Sequence, residues 1–280
     1  MSVEEILRKH EVLNIAHRGA RSLAPENTLA AAARALAAGS HMWELDVGMT
    51  RDGELLVIHD STLQRTSNAR TQFPRRRPWN LHDFTLDEIR CLDFGSWFVH
   101  EDPFGEIERG GIPQADVEGF PGLHAPTLAE ALDFTRGNRW CVNVEIKDLA
   151  GTPGHGIVVK EVVTLVGSMN MRGSVLVSSF NHDYLEEARR LDPELHLGVL
   201  TSRRLRDPLR LLRRLGALSY HPRISALAPG DARLLQDEGF HTLAWVANEA
   251  EAFLSLRQEG VRGIFTDFPQ RLAAFLNEAP

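Results

Sequence analysis

Cysteine is almost missing from this sequence: Cys91 and Cys141 are the only two in 280 residues. A lone pair so far apart is no disulfide framework, and both sit in mostly apolar stretches, which predicts buried thiols rather than a redox or metal pair. Positive charge is also short. The 31 basic residues face 38 acidic ones, a formal charge of -7, which leaves no electrostatic footprint for nucleic acid. Long apolar runs are absent too. Nothing approaches the ~20 residues of a membrane span. The opening "MSVEEILRKH" mixes acids with bases and has no apolar stretch of the kind a secretory leader carries. A cytoplasmic location and a small-molecule partner are the expectations that remain.

What is present is enough apolar material, 43% of the chain, to fill a substantial core. From residue 126 onward short β-like runs alternate with helical ones. Strands are expected at 141–146 ("CVNVEI"), 174–179, 196–200, 217–220, 242–246 and 263–266 ("GIFT"). The helices between them repeat their apolar residues at three and four, as a face packed on a sheet requires. Two units precede these. "VLNIAH" (12–17) feeds a helix, and "HMWELDV" (41–47) returns through an Asp52-Gly53 turn into "ELLVIH" (54–59). Eight main strands in βα alternation point to an α/β fold, a closed TIM (β/α)₈ barrel, with an open doubly wound sheet as the alternative. The whole chain, 1–280, reads as one domain. Residues 60–125 break its rhythm: they are too long for a βα connection and show little apolar periodicity, so they read as an insertion after the second strand region, above one end of the barrel.

In such a barrel chemistry sits at the carboxyl ends of the strands. His17, Glu44, Asp46, His59, Glu145, Lys147, His221, Trp245 and Asp267 all fall there. Glu44 and Asp46 leave "WELDV" on one face, with Trp43, Leu45 and Val47 on the other, and Glu145 and Lys147 repeat the spacing in "VEIK". Three carboxylates at one mouth repel unless a cation joins them, and an all-oxygen set favours one Mg²⁺ or Ca²⁺ over zinc. As solvated strand ends or partners of nearby bases, the same residues would need no metal. His17 and His59 each stand where an apolar run emerges, and two imidazoles near neutrality can take one proton and deliver another. Arg18 offers a fork for phosphate oxygens and Lys147 a point charge, or either neutralises Glu44, Asp46 or Glu26.

With these residues assembled, the chain resembles the glycerophosphodiester phosphodiesterase family. The resemblance is carried by "AHRGARSLAPENT" (16–28), "ELDVGMTRDGELLVIHDSTLQRTSN" (44–68), "GIPQ", "PTLAEAL", "NVEIK" (143–147), "VSSFNHDYL" (177–185) and "GIFTDFP" (263–269). It implies a TIM barrel that hydrolyses glycerophosphodiesters to glycerol 3-phosphate and an alcohol with a divalent metal. By the same likeness Glu44, Asp46 and Glu145 are metal ligands, His17 and His59 the acid/base pair, Arg18 and Lys147 phosphate-binding cations, and Trp245 an aromatic wall of the cleft. The nucleophile is water or the adjacent glycerol hydroxyl, and the likeness implies the latter through a cyclic phosphate; either histidine can act as first base, and the expectation is His59 in that role with His17 as acid. Glu26 and Asn27 brace the loop, and Asn27 or Thr28 caps the first barrel helix.

Two other readings remain. One is a lysophospholipase D or sphingomyelinase D-like activity on lipid diesters, for which the insertion offers Phe73, Trp79, Phe84, Trp97, Phe98, Phe104 and Phe120. Trp97 and Phe98 are expected to shape the alcohol side of the substrate. The other is a barrel that binds a phosphorylated ligand without catalysis.

Overall fold

A computed structural model describes residues 1–278. Nine strands form one sheet: β1 (Leu13–Ala16), β2 (Met42–Met49), β3 (Leu55–Val57), β4 (Cys141–Ile146), β5 (Val175–Ser179), β6 (His196–Thr201), β7 (Ser219–Pro222), β8 (His241–Ala244) and β9 (Gly263–Thr266). Their order is β1-β9-β8-β7-β6-β5-β4-β2-β3, and β1 also pairs with β2. Eight parallel strands therefore close into a (β/α)₈ barrel. The ninth, β3, lies antiparallel on the protruding end of β2, from Val47 opposite Val57 to Met49 opposite Leu55. The open doubly wound sheet is excluded by the closing pair.

Alternation along β2 places Trp43, Leu45 and Val47 in the layer between barrel and outer helices. Met42, Glu44 and Asp46 take the opposite parity, toward the interior. At the bottom of the barrel Met42 meets Leu13, Ile15, Cys141, Leu176, Leu243 and Phe265, and the helix Val3–Lys9 plugs that end with Val3, Ile6 and Leu7. Ser2 and Glu5 form a capping box that starts this helix. Fully burying three such side chains contributes roughly 1.5–3 kcal/mol each. Apolar filling closes the bottom, and the charged side chains gather at the other end.

The 60–125 segment leaves and re-enters the barrel at one place, because Val57 N–H donates to the Pro126 carbonyl at 2.9 Å. Its helices are short: Ala69–Gln72, Leu86–Arg90, Ser96–Glu101 and Gln114–Gly119. Helices of four to six residues cannot display an apolar period, yet they bury two clusters. One gathers Leu63, Trp79, Leu81, Phe84, Ile89, Leu92 and Phe94; the other sets Phe98, Ile112, Val117 and Phe120 against Ala24 and Ala31 of the barrel. Cys91 corrects one expectation. It follows the end of a one-turn helix and is exposed, whereas Cys141, facing the barrel bottom, is buried and its thiol is pushed up to about 12 by burial.

Candidate active site

The residues that the sequence proposed as metal ligands, acid/base pair, phosphate-binding cations and aromatic wall gather at the carboxyl end of the barrel. His17, Arg18, Glu44, His59, Glu145, Lys147 and Trp245 line one cavity of about 210 Å³, together with Asn143, Phe180, Leu200, Val246 and Phe265. Asp46 is the most buried of the three acids, at 1% exposure against 3% for Glu44 and 8% for Glu145.

The loop after β1 has to turn sharply to deliver both His17 and Arg18. Gly19 makes this possible: its φ is +77°, and a Cβ there would lie 2.7 Å from Ala31. The Arg18 N–H then donates to Glu44 Oε2 at 2.7 Å, while its guanidinium reaches Glu26 at 2.9 Å and Asp46 at 3.4 Å. Thr28, not Asn27, caps the following helix, accepting from Ala31 N–H at 3.2 Å. Asn27 is used elsewhere, bonded to Asp46.

Glu44, Asp46 and Glu145 each present an oxygen, and these atoms all lie within 4.8 Å of one another. Lys147 Nζ donates to Glu145 at 2.6 Å and Asp46 at 3.3 Å. One ammonium and one guanidinium do not satisfy three buried carboxylates. Burial, Asp46 and Glu145 hold Glu44 well above the usual carboxylate range, and burial with Asp46 raises Glu145. Burial also works against Asp46, but Lys147, Arg18 and His59 outweigh it and keep Asp46 far below that range. Hard oxygen donors whose ionisation is short of positive charge fit a divalent cation. Softer ligands are absent from this cluster.

Both histidines are held from behind. His17 Nδ1 lies 2.7 Å from Asp267 Oδ1, and His59 Nδ1 lies 2.7 Å from Asp60 Oδ1. Such a contact places the ring proton on Nδ1 and leaves Nε2 for the cavity. Asp267 is itself fixed by Asn248 at 2.9 Å, and Asp60 by two bonds from Arg65, at 2.7 and 3.0 Å. Burial lowers the pKa of His17; the bond to Asp267 opposes this and the charge on Arg18 adds to it.

An apolar arc faces these charges. Trp245 is locked by donating Nε1–H to the His221 carbonyl at 2.9 Å and meets Phe180 edge-on at 5.6 Å. His221, expected near the mouth, lies instead inside the barrel, fully buried, with Nε2 on Ser219 Oγ at 2.8 Å. Its side chain follows the inward parity of β7 and stops below the cavity.

No residue between 61 and 125 is among those lining the cavity. Phe98 is fully buried in the insertion's own cluster, and Trp97 stacks under Arg65 with 5.9 Å from guanidinium carbon to ring centroid. The insertion supplies Asp60 and Arg65 behind His59, and its Ser61, Leu81 and His82 line an adjoining cavity that shares His59 and Lys147, whereas Trp97 and Phe98 line neither, which corrects the expectation for those two. Sequence reasoning missed Asn143, Phe180, Leu200 and the carboxylate behind His59. Asn143 had a signal, since it stands two residues before Glu145 on the same strand face.

A closed (β/α)₈ barrel with three carboxylates, two carboxylate-backed imidazoles and two cations around one cavity defines a class of metal-assisted hydrolase. The model of the glycerophosphoryl diester phosphodiesterase family matches residues 17–271. A glycerophosphodiester phosphodiesterase of Caldanaerobacter subterraneus subsp. tengcongensis is 33% identical over 263 residues, covering 94% of this chain and 96% of the relative. An Oleispira antarctica phosphodiesterase, solved in complex with the product sn-glycerol-3-phosphate, superposes with TM-score 0.76 at 25% identity, over 94% of this chain and 96% of the other. A glycerophosphodiester phosphodiesterase from Agrobacterium tumefaciens gives TM-score 0.71 at 25% identity, over 93% and 98%. The chain belongs to the glycerophosphoryl diester phosphodiesterase family. It is an enzyme, a phosphoric diester hydrolase.

Proposed function

We propose that this chain hydrolyses glycerophosphodiesters to glycerol 3-phosphate and an alcohol, with His17 and His59 as the acid/base pair. The observation that carries the reading is the duplication of the imidazole–carboxylate contact at 2.7 Å on two sides of one cavity. A diester of an unactivated alcohol needs one proton removed and another delivered, and two backed imidazoles perform both.

Glu44, Asp46 and Glu145 would hold one divalent ion, Mg²⁺ or Ca²⁺, which when bound supplies charge stabilisation for the phosphoryl oxygens. The remaining work belongs to side chains. Arg18 and Lys147 bind and orient the anionic phosphate. His59, whose Nδ1–H donates a hydrogen bond to Asp60, takes a proton from the nucleophile on Nε2. That nucleophile is the glycerol hydroxyl beside the phosphate, and a water then opens the cyclic diester. His17 protonates the departing alkoxide. In the free protein burial and neighbouring guanidiniums hold His17 low; the arriving phosphodiester anion offsets those charges and lets it carry a proton. Trp245, with Phe180, packs against the organic part of the substrate and excludes water.

Against the lipid reading, Trp79, Phe84, Phe98 and Phe120 of the insertion are buried in its clusters, while Phe73, Trp97 and Phe104 are partly buried against them. The non-catalytic reading is disfavoured by the intact pair of histidine contacts. No helix among the described residues is long and apolar enough to cross a membrane. An exposed free thiol at Cys91 supports action in a reducing compartment, the cytoplasm. Residues 1–280 act as one domain with the insertion at 60–125. Release of glycerol 3-phosphate from a panel of glycerophosphodiesters and lysophospholipids, each with Mg²⁺, Ca²⁺ or chelator, tests the reading. Turnover of lysophospholipids alone, or activity undiminished by chelator, would overturn it.

A further inference from the structure

Glu26 is buried, at 5% exposure, and does not line the cavity. Three guanidiniums nevertheless end on it. Its Oε1 accepts from Arg18 Nη1 at 2.9 Å and Arg65 Nη2 at 2.7 Å, and its Oε2 accepts from Arg21 Nη2 at 2.6 Å. Two of these arginines lead onward. Arg65 grips Asp60 through two bonds, at 2.7 and 3.0 Å, and Asp60 backs His59. Arg21 Nη1 pairs with Asp267 Oδ1 at 3.5 Å, and Asp267 backs His17. An unbroken series of alternating charges thus runs from one imidazole to the other: Asp267, Arg21, Glu26, Arg65, Asp60. Glu26 is its central anion.

We propose that Glu26 is the positioning residue that sets both imidazoles at once, through Arg21 and Asp267 on one arm and Arg65 and Asp60 on the other. This rests on the histidine pair proposed above. Without the central anion, Arg21 and Arg65 face each other with no shared counter-ion. Each must then swing toward its own aspartate or toward solvent, and the ring backed by that aspartate turns with it. The third arm, to Arg18, acts on phosphate binding and not on the rings. Its loss is read in KM, whereas loss of the two histidine arms is read in kcat.

The test uses the full chain loaded with saturating Mg²⁺ or Ca²⁺, glycerophosphocholine as substrate, and proton NMR of the downfield Nδ1–H signals. The variants His17→Ala and His59→Ala assign one signal each. Glu26→Gln keeps size and hydrogen-bonding capacity but removes the charge. It should lower kcat roughly 10- to 100-fold, change KM less, and displace both signals. Arg65→Met should displace only the His59 signal and Arg21→Met only the His17 signal. Adding Glu26→Gln to the variant lacking both arginines should lower kcat no further. The proposal is overturned if Glu26→Gln only lowers melting temperature or only raises KM with both signals in place, or if only one signal moves. Should Glu26→Gln fail to fold, single-arm variants that leave their own signals unmoved overturn it equally. Near-normal turnover by His17→Ala or His59→Ala would instead sink the histidine-pair reading, and the NMR signals would still decide the role of Glu26.

Discussion

Asn27 and Asp46 exchange two hydrogen bonds: Asn27 Nδ2–H donates to Asp46 Oδ2 at 2.9 Å, and Asp46 N–H donates to Asn27 Oδ1 at 3.2 Å. The pair ties the loop after β1 to the strand that carries two of the three carboxylates. Asn27 takes a φ of 58°, a left-handed conformation that Asn and Asp tolerate better than other side chains. Asn27→Asp therefore preserves the backbone and replaces a donor with a second carboxylate facing Asp46. The expected outcome is metal affinity lowered roughly 10- to 100-fold, as for loss of other ligand-orienting partners. Calorimetric titration with Mg²⁺ or Ca²⁺ measures it. Unchanged affinity would mean that Asp46 needs no orientation by this loop.

The acidic cluster makes its own prediction. Burial and mutual repulsion hold Glu44 and Glu145 above the usual range, so a bound divalent ion must displace protons as well as satisfy charge. Metal affinity should rise with pH across the acid range and flatten once both are ionised. Glu145→Gln removes one ligand charge and also frees Lys147, which should weaken binding and abolish most turnover. Retention of full activity after exhaustive chelation would remove the metal from the mechanism.

The barrel was legible because its strands are buried on both faces and read as compact apolar runs; "CVNVEI" and "GIFT" match β4 and β9 at both ends. β2 continues two residues past the expected Val47 because its end pairs with the short returning strand. The acids and histidines were legible for a different reason. Each breaks an apolar run where a strand ends, a pattern that solvent exposure alone does not produce so often in one chain. What stayed hidden depends on long-range contact. Nothing local marks Asp267 as the backing of an imidazole, since it meets its partner across 250 residues, whereas Asp60 adjoins His59 in the sequence and is held there by Arg65. The insertion's small cores were hidden because its helices are shorter than two apolar periods.

Glu26 predicts how stability changes with acid. Burial alone would raise its pKa, but Arg18, Arg65 and Arg21 overcome this and hold it at about 2, below its ordinary 4.5. A depressed carboxylate contributes stability above its ordinary value and loses it as pH falls toward the folded-state value. Wild type should therefore exceed Glu26→Gln by on the order of 3 kcal/mol near neutrality, the cost of breaking a buried charge pair. That gap should narrow as pH drops from about 4.5 to about 2. Urea denaturation of both proteins at several pH values measures it. A gap that is constant with pH would show that the charge on Glu26 is not what stabilises the loop.

Substrate preference should follow the apolar arc and not the insertion. Trp245 and Phe180 meet at 5.6 Å on the cavity wall, whereas Trp97 stacks beneath Arg65 away from that wall. Trp245→Ala and Phe180→Ala should each raise KM and reorder a panel of glycerophosphodiesters. Trp97→Ala should leave the order of substrates intact and lower overall rates through the loosened Arg65. A reordered panel for Trp97→Ala alone would place the alcohol against the insertion after all.

The histidine pair makes the most discriminating prediction. His17 projects from the end of β1 and His59 follows β3, each with its Nδ1 against a carboxylate at 2.7 Å and each lining the same cavity. Proton transfer by a placed side chain typically contributes ~10² to 10⁴ in rate, so His17→Ala and His59→Ala should lower kcat by factors of that order. Both rings are partly exposed, with side-chain exposures of 16% and 33%, so their removal should cost little stability and KM should change far less than kcat. The two variants separate by leaving group. p-Nitrophenolate departs without a proton, so a glycerophosphodiester of p-nitrophenol should restore much of the rate to the variant lacking the acid, His17→Ala. The variant lacking the base, His59→Ala, should stay slow, because its nucleophile still has to lose a proton. Recovery by His59→Ala instead would exchange the two roles. Equal recovery by both would refute the division of labour, and near-normal turnover of glycerophosphocholine by either variant would refute the pair.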